Sequence, residues 1–120
     1  MKDYKLCESE YRFMTILWEH APVPSGRLVQ LCAERLGWKK PTTYTVIRNL
    51  SQRGIVKNEQ TIVSALVSAE EIRQLESTKL VERTFEGSLP HFLTAFLNGK
   101  MLSKEEVREL EELIRAHEEK

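Results

Sequence analysis

The chain has 120 residues, of which 41% are hydrophobic and 30% charged, and its 18 basic side chains balance its 18 acidic ones. This composition is typical of one globular domain, or of a small domain with an accessory segment, and excludes a disordered or fibrous chain. The apolar runs are much shorter than the roughly 20 residues that a membrane-spanning helix needs. Two cysteines, and no apolar leader at residues 1–5, predict a cytoplasmic chain without a secretory signal or disulfides.

The neutral total conceals a division of charge along the chain. Residues 1–68 carry ten basic and six acidic side chains, a net charge of +4, whereas residues 69–120 carry eight and twelve, a net charge of −4. No acidic residue occurs between Glu34 and Glu59, a segment that contains six basic residues. The pattern indicates a basic binding module joined to an acidic accessory segment; an unevenly charged solvated surface is the alternative.

Two helices are predicted at the N-terminal end. Apolar residues at helical spacing predict the first over residues 6–20, with Cys7 or Ser9 as its cap. A second is predicted from residue 25 to Gly37, after a short extended break that contains two prolines. Cys32 lies on the apolar face of this second helix, so we expect it to be a small core residue.

A third helix, predicted to begin at residues 39–42 and to end near Gly54, has the composition of a DNA-reading element. Opposite its apolar face lie hydroxyl, amide, guanidinium and phenol groups but no carboxylate, whereas an ordinary solvated face mixes Glu with Lys. Such groups can hydrogen-bond to base edges and phosphates. The residues predicted to face base edges or the adjacent sugar-phosphate are Thr42, Tyr44, Thr45, Arg48 and Asn49. The residues predicted to contact phosphates are Lys39, Lys40, Arg53 and Lys57.

Residues 55–67 are rich in β-branched side chains, with a polar centre, and predict a tight β-hairpin. Three helices followed by a hairpin form the order of a winged helix-turn-helix domain. The turn of the motif is residues 37–40, in which Trp38 is expected to pack against the first helix. We therefore predict such a DNA-binding domain over residues 1–68.

The second half predicts three more helices, capped by Ser68, Ser88 and Ser103. They are short for a self-contained core, yet they carry many large apolar residues. A two-fold homodimer through residues 69–120 would bury these side chains; folding back on the N-terminal domain is the alternative. The fold class predicted is thus mainly α with a small β-hairpin wing, followed by a three-helix dimerisation region. The residues predicted to form the dimer interface are Ile72, Leu75, Val81, Phe85, Leu89, Phe92, Leu93, Phe96, Leu97, Val107, Leu110, Leu113 and Ile114.

Landmarks along nearly the whole chain resemble those of the penicillinase-repressor family, which includes methicillin-resistance and copper-responsive repressors. The matching positions are Leu6, Cys7, Glu8, Ser9, Glu10, Tyr11, Met14, Ile16, Leu17, Trp18, Trp38, Thr42, Thr45, Leu50, Gly54, and residues 66–71, 87–89 and 102–106. The resemblance implies a dimeric winged-helix repressor. It also implies that the two N-terminal domains bind a palindromic operator in double-stranded DNA, typically one with TACA- or TGTA-like half-sites.

The chain departs from the family's pattern at three places. Its hairpin tip, residues 58–61, lacks the usual Gly-Arg pair and the aromatic return strand, so the wing is expected to add little DNA affinity beyond Lys57. Ala95 and Phe96 stand where antibiotic-responsive members have the Asn-Phe bond at which they are cleaved. No cysteine follows Cys32, whereas copper-responsive members have a C-terminal cysteine cluster. The resemblance therefore allows an inducer or a protease as partner without naming either.

Other classes of protein are less consistent with these residues. No nucleophile–base pair or glycine-rich phosphate loop is present, and His20, His91 and His117 lack the spacing of metal ligands. The sequence thus predicts neither an enzyme nor a cofactor or metal. A winged-helix module that binds only protein is one alternative, against which the carboxylate-free helix face argues. A winged-helix activator is another, and only the resemblance favours a repressor over it.

Overall fold

The structure is a computed structural model that describes residues 4–120. Residues 1–3, which belong to the predicted DNA-binding domain and to the N-terminal stretch predicted to lack a secretory signal, lie outside the described residues. The elements, in chain order, are α1 (Glu8–His20), β1 (Val23–Pro24), α2 (Ser25–Leu36), α3 (Lys40–Gln52), β2 (Val56–Glu59), β3 (Ile62–Ala65), α4 (Ala69–Phe85), α5 (Leu89–Leu97) and α6 (Lys104–Ala116). Over residues 4–120, no helix is both long and apolar enough to cross a membrane.

The chain divides into two compact units, which we call unit 1 (residues 1–79) and unit 2 (residues 80–120). The division falls inside α4, whereas the boundary predicted from the sequence falls at the beginning of the same helix. The predicted fold class is confirmed: between residues 4 and 120, six helices and a small antiparallel sheet follow the expected order.

Unit 1 is a winged helix-turn-helix domain in which three helices and the sheet enclose one apolar core. The sheet has the order β1-β3-β2 and is antiparallel throughout, with Val23 opposite Val63 and Val56 opposite Ala65. The sequence predicts only an extended break where β1 lies, because two residues are too short to show an alternating pattern. The largest fully buried side chains are Phe13, Met14, Leu17, Leu28, Cys32, Thr43, Leu50, Ile55, Val56, Val63 and Ile72.

The prediction that Ile72 lies in the dimer interface is wrong. The structure buries it completely in the core of unit 1. It lies in the first turn of α4, directly after the chain leaves the sheet, so its side chain reaches the N-terminal core before the helix continues into unit 2. Ile72 is therefore not available to a second copy of the chain.

Local signals define most element ends. Gly37 adopts the left-handed conformation, with φ of 69°, and ends α2. Gln60 and Thr61 both have positive φ, 51° and 64°, as a two-residue hairpin turn requires. In unit 2 the hydroxyls of Ser88 and Ser103 each accept a hydrogen bond, at 3.1 Å, from the backbone N–H three residues on. The capping residues predicted for α5 and α6 are thus confirmed.

Candidate nucleic-acid interface

Helix α3 is held in unit 1 by one apolar face. It begins after Lys39 with a proline in its first turn, where the missing N–H costs nothing. Thr43, Ile47 and Leu50 are buried against the core, as predicted from the pattern. Because these residues recur every three or four positions, the opposite face of the helix is directed to solvent.

That solvent-facing surface of α3 is polar and free of carboxylates. We call it the α3 face; its members are Thr42, Thr45, Arg48, Asn49 and Gln52, all of which are exposed. Within residues 4–120, neither Arg48 nor the two lysines at the start of the helix form an ion pair, since the cations with acidic partners lie elsewhere. The α3 face therefore presents donors, acceptors and a positive charge that a nucleic acid can use.

Tyr44 lies at one flank of the α3 face and is about one third exposed, at 36%. Its hydroxyl is 3.3 Å from the hydroxyl of Ser25, which is buried in the first turn of α2. The Nζ of Lys40 lies 6.0 Å from the centre of the Tyr44 ring, within the range of a cation–π contact. The ring is thus oriented from both sides. Ser25 was not identified from the sequence, because nothing local relates a helix-start serine to a tyrosine 19 residues later.

Trp38, in the turn before α3, packs on α1, as predicted from the sequence. Its ring is stacked on that of Phe13, with centroids 6.1 Å apart and an angle of 6° between the planes. Since Phe13 is fully buried, this contact joins the turn to the core of unit 1.

Two of the predicted phosphate contacts already have acidic partners. An Nη atom of Arg53 lies 3.1 Å from one carboxylate oxygen of Glu10 and 3.2 Å from the other, and the second Nη atom donates to the backbone carbonyl of Lys5. Lys57 pairs with Glu59 at 2.9 Å on the exposed wing. An exposed ion pair such as Lys57–Glu59 contributes little to stability, so Lys57 can leave Glu59 and contact a phosphate instead. The Arg53 pair is far less exposed.

Among residues 4–79, three groups have perturbed pKa values. Burial alone would raise the pKa of Glu10, but hydrogen bonds from Cys7 and Arg53 and the charge of Arg53 outweigh it, so the pKa lies below the ordinary 4.5. A hydrogen bond from Arg35 lowers the pKa of Glu19. Burial raises the pKa of Cys32, which the Thr43 hydroxyl only partly offsets. The Cys32 thiol therefore stays protonated, as expected of a core residue.

Comparison with known proteins agrees with this geometry. Residues 6–116 match the penicillinase repressor family. The chain is 22% identical to the methicillin resistance regulatory protein MecI of Staphylococcus aureus, over 94% of this chain and 95% of that protein. It is 19% identical to the penicillinase repressor of Bacillus licheniformis, over 94% and 91% of the two chains. It is 21% identical to the MecI protein of Mammaliicoccus sciuri, over 94% and 95%. Because the family match extends over nearly the whole chain, from α1 to the end of α6, this protein belongs to the penicillinase repressor family.

Proposed function

We propose that the protein is a transcriptional repressor that binds a palindromic DNA operator in a sequence-specific manner, as a homodimer. The observation that carries the proposal is the α3 face: an exposed helix surface of hydroxyls, amides and one guanidinium, without a carboxylate, in a winged helix-turn-helix domain. The family to which the chain belongs supports the same conclusion, since its named members are regulators and repressors.

The roles follow from position on the helix. In helix-turn-helix proteins the second helix of the motif enters the major groove and its N-terminal residues contact base edges. Thr42, Thr45 and Asn49 are exposed and would hydrogen-bond to bases. The guanidinium of Arg48 would contact a guanine or a phosphate. Lys39 and Lys40, at the start of α3, supply sequence-independent attraction to the backbone.

The wing makes a smaller contribution. Its tip carries Glu59, whose charge faces that of Lys57, so the net attraction of the hairpin to phosphate is weak. Most of the binding energy therefore comes from α3 and the residues just before it.

Unit 2 supports the homodimer because it lacks a core of its own. None of residues 80–120, all of which the structure describes, is buried. Phe96 is 52% exposed and Ile114 59% exposed, while α6 has a row of apolar side chains opposite its acidic face. An open groove of about 560 Å³ lies between Leu89 of α5 and Ile114 of α6. Apolar surface of this extent is rarely left in water by a monomer.

A second copy of the same chain is the occupant that fits, since an isologous contact lets each apolar surface cover its equivalent. The interface proposed keeps the residues predicted from the sequence apart from Ile72 and gains Leu80, which is 38% exposed. The dimer would set two α3 helices about 34–36 Å apart, one turn of DNA. Sedimentation equilibrium at micromolar concentration tests this directly: a monomer would contradict the dimer without affecting the DNA-binding proposal.

Selection of bound duplexes from a random-sequence pool tests DNA recognition. We expect a palindromic consensus, and binding to the recovered duplex should weaken steeply between about 50 and 200 mM salt because counterions are released from the phosphates. Recovery of no consensus, with no salt-dependent gel shift, would instead favour a winged-helix module that binds only protein.

Repression is proposed to occur by occlusion of a promoter in the cytoplasm. A reporter gene placed behind the recovered palindrome separates repression from activation: expression should fall when the protein is supplied and rise if the protein is an activator. Release from DNA by an inducer or a protease is part of the same proposal. The residue pair Ala95–Phe96, exposed in α5, is the position at which to examine cleavage.

A further inference from the structure

Arg53 stands directly after the last residue of α3, as the C-terminal cap of the helix. Its backbone N–H bonds to the carbonyl of Asn49 at 3.2 Å, and Gly54 then turns the chain away with φ of 76°. The side chain of Arg53 donates hydrogen bonds to Glu10 of α1, 43 residues earlier, and to the backbone carbonyl of Lys5, which precedes α1. The end of α3 is thereby linked to the beginning of α1.

The link differs from the other ion pairs between residues 4 and 120. The side chains of Arg53 and Glu10 are 28% and 18% exposed, whereas those in the remaining pairs are 44% exposed or more. Arg53 also uses its guanidinium in two directions, towards both carboxylate oxygens and towards a backbone carbonyl. The guanidinium is planar and donates hydrogen bonds from both of its Nη atoms. Because its acceptors are fixed, it restrains the orientation of α3 more than a single flexible contact would.

The acceptor is as firmly held as the donor. Glu10 accepts a hydrogen bond of 3.0 Å from the backbone N–H of Cys7, in the capping box that begins α1. Three residues further along α1 is Phe13, on which Trp38 is stacked. One turn of α1 therefore holds the chain on both sides of α3: Trp38 before the helix begins and Arg53 after it ends.

We propose that Glu10 and Arg53 form a clamp that positions the DNA-reading helix α3 on α1, so that Arg53 serves sequence recognition through Glu10 and not by contact with a phosphate. The inference rests on the proposed function, and it replaces the role that the sequence pattern assigned to Arg53. Hydrogen bonds to base edges need donors and acceptors placed within a few tenths of an ångström. A helix that can tilt at one end therefore loses its preference for one DNA sequence before it loses its electrostatic attraction to the phosphates.

The test uses the full chain with Glu10→Gln and Arg53→Gln. Glutamine at residue 10 keeps an acceptor for the Cys7 N–H, since Glu and Gln both serve in capping boxes, and removes only the charge that faces Arg53. The matched controls are Glu19→Gln and Arg35→Gln. They change the same charges in the Arg35–Glu19 pair, 2.7 Å apart, which joins α1 to α2 and leaves α3 untouched. Circular dichroism establishes that each variant is folded at the assay temperature.

Binding is measured to the duplex that the wild-type protein recovers from a random pool and to a scrambled duplex of the same composition. Glu10→Gln and Arg53→Gln should each lower the ratio of the two affinities roughly tenfold, the size of one lost base-edge contact, with the salt slope unchanged. The controls should alter the ratio by less than about twofold. An unchanged ratio in Glu10→Gln would overturn the clamp. So would an Arg53→Gln variant that weakens both duplexes equally and reduces the salt slope by about one, the result expected of a phosphate contact.

Amide hydrogen exchange provides a readout that needs no DNA. The N–H groups of residues 50–52, in the last turn of α3, should exchange faster in Glu10→Gln than in the wild type, whereas those of α2 should not. Unchanged exchange in this turn would overturn the clamp. If the wild-type protein recovers no sequence from the pool, the proposed function is wrong, and the exchange result then decides on the clamp by itself.

Discussion

Replacing Ile72 by alanine is expected to lower the thermal stability of unit 1 strongly, although the residue lies in the helix that continues into unit 2. Ile72 is fully buried among the core side chains of unit 1. Truncation of a large aliphatic side chain at such a site costs about 2–5 kcal/mol through lost burial and the cavity left behind. In a domain of this size each kcal/mol shifts the melting temperature by roughly 4–8 °C, so the midpoint should fall by at least about 8 °C.

Leu75→Ala is the matched control, three residues further along α4 and 38% exposed. Loss of this side chain should cost unit 1 less than about 1 kcal/mol, but it should weaken the proposed dimer. Calorimetry at two protein concentrations separates the effects, because only a defect in association makes the melting temperature fall further on dilution. The assignment of Ile72 to the core of unit 1 is refuted if both variants lose equal stability, or if the loss in Ile72→Ala depends on concentration.

Three further predictions concern α3 and α1. Arg48→Ala should cost roughly 1–3 kcal/mol of operator affinity and relax the sequence preference, whereas Lys39→Ala should weaken binding to all duplexes about equally and reduce the salt slope by about one. Gel shifts at several salt concentrations test both expectations. If both variants bind DNA like the wild type, the DNA-binding role of the α3 face is contradicted. The pKa of Glu10 is lower in the folded state than the ordinary 4.5, so the ionised carboxylate stabilises the fold above about pH 4.5, and this stabilisation is lost as the pH falls through the folded-state pKa. In denaturant titrations, the difference in stability between the wild type and Glu10→Gln should therefore shrink below pH 4.5. A difference that stays constant with pH would exclude this contribution. Cys7→Ser should be neutral or stabilise the protein by up to about 1 kcal/mol in urea titrations, because Cys7 occupies the N-cap of α1, where a thiol is only a weak hydrogen-bonding group and serine is a preferred cap. A clear loss of stability would show that the thiol has another role.

Most helix boundaries of this protein are predictable because capping and helix-ending signals lie within a few residues of the helix ends that they define. The capping serines at 68, 88 and 103 are followed by helices at the expected positions, and Gly37 ends α2 in the conformation for which glycine is suited. A side chain and the backbone N–H that it caps lie three residues apart, so both are read in one short window. The polar composition of the α3 face is visible in the same way, from helical periodicity alone.

Partners distant in sequence are not predictable by that means. The pattern marks Arg53 as a cation beside a DNA-reading helix, but its partner Glu10 is 43 residues earlier and enters only when α1 packs beside α3. Tyr44 and Ser25 are related in the same manner. A charge count treats every exposed arginine alike, whereas the fold determines which of them meets a carboxylate.

The order of the elements, the buried side of α3 and the charge difference between the two halves are therefore predictable from the chain, because periodicity, capping and composition are properties of neighbouring residues. Three other features become visible only in the folded chain: Ile72 belongs to unit 1, Arg53 is bound to α1, and β1 adds a third strand to the sheet. Each of these depends on which surfaces remain after the helices pack, and burial and ion pairing are set by that packing rather than by any single segment.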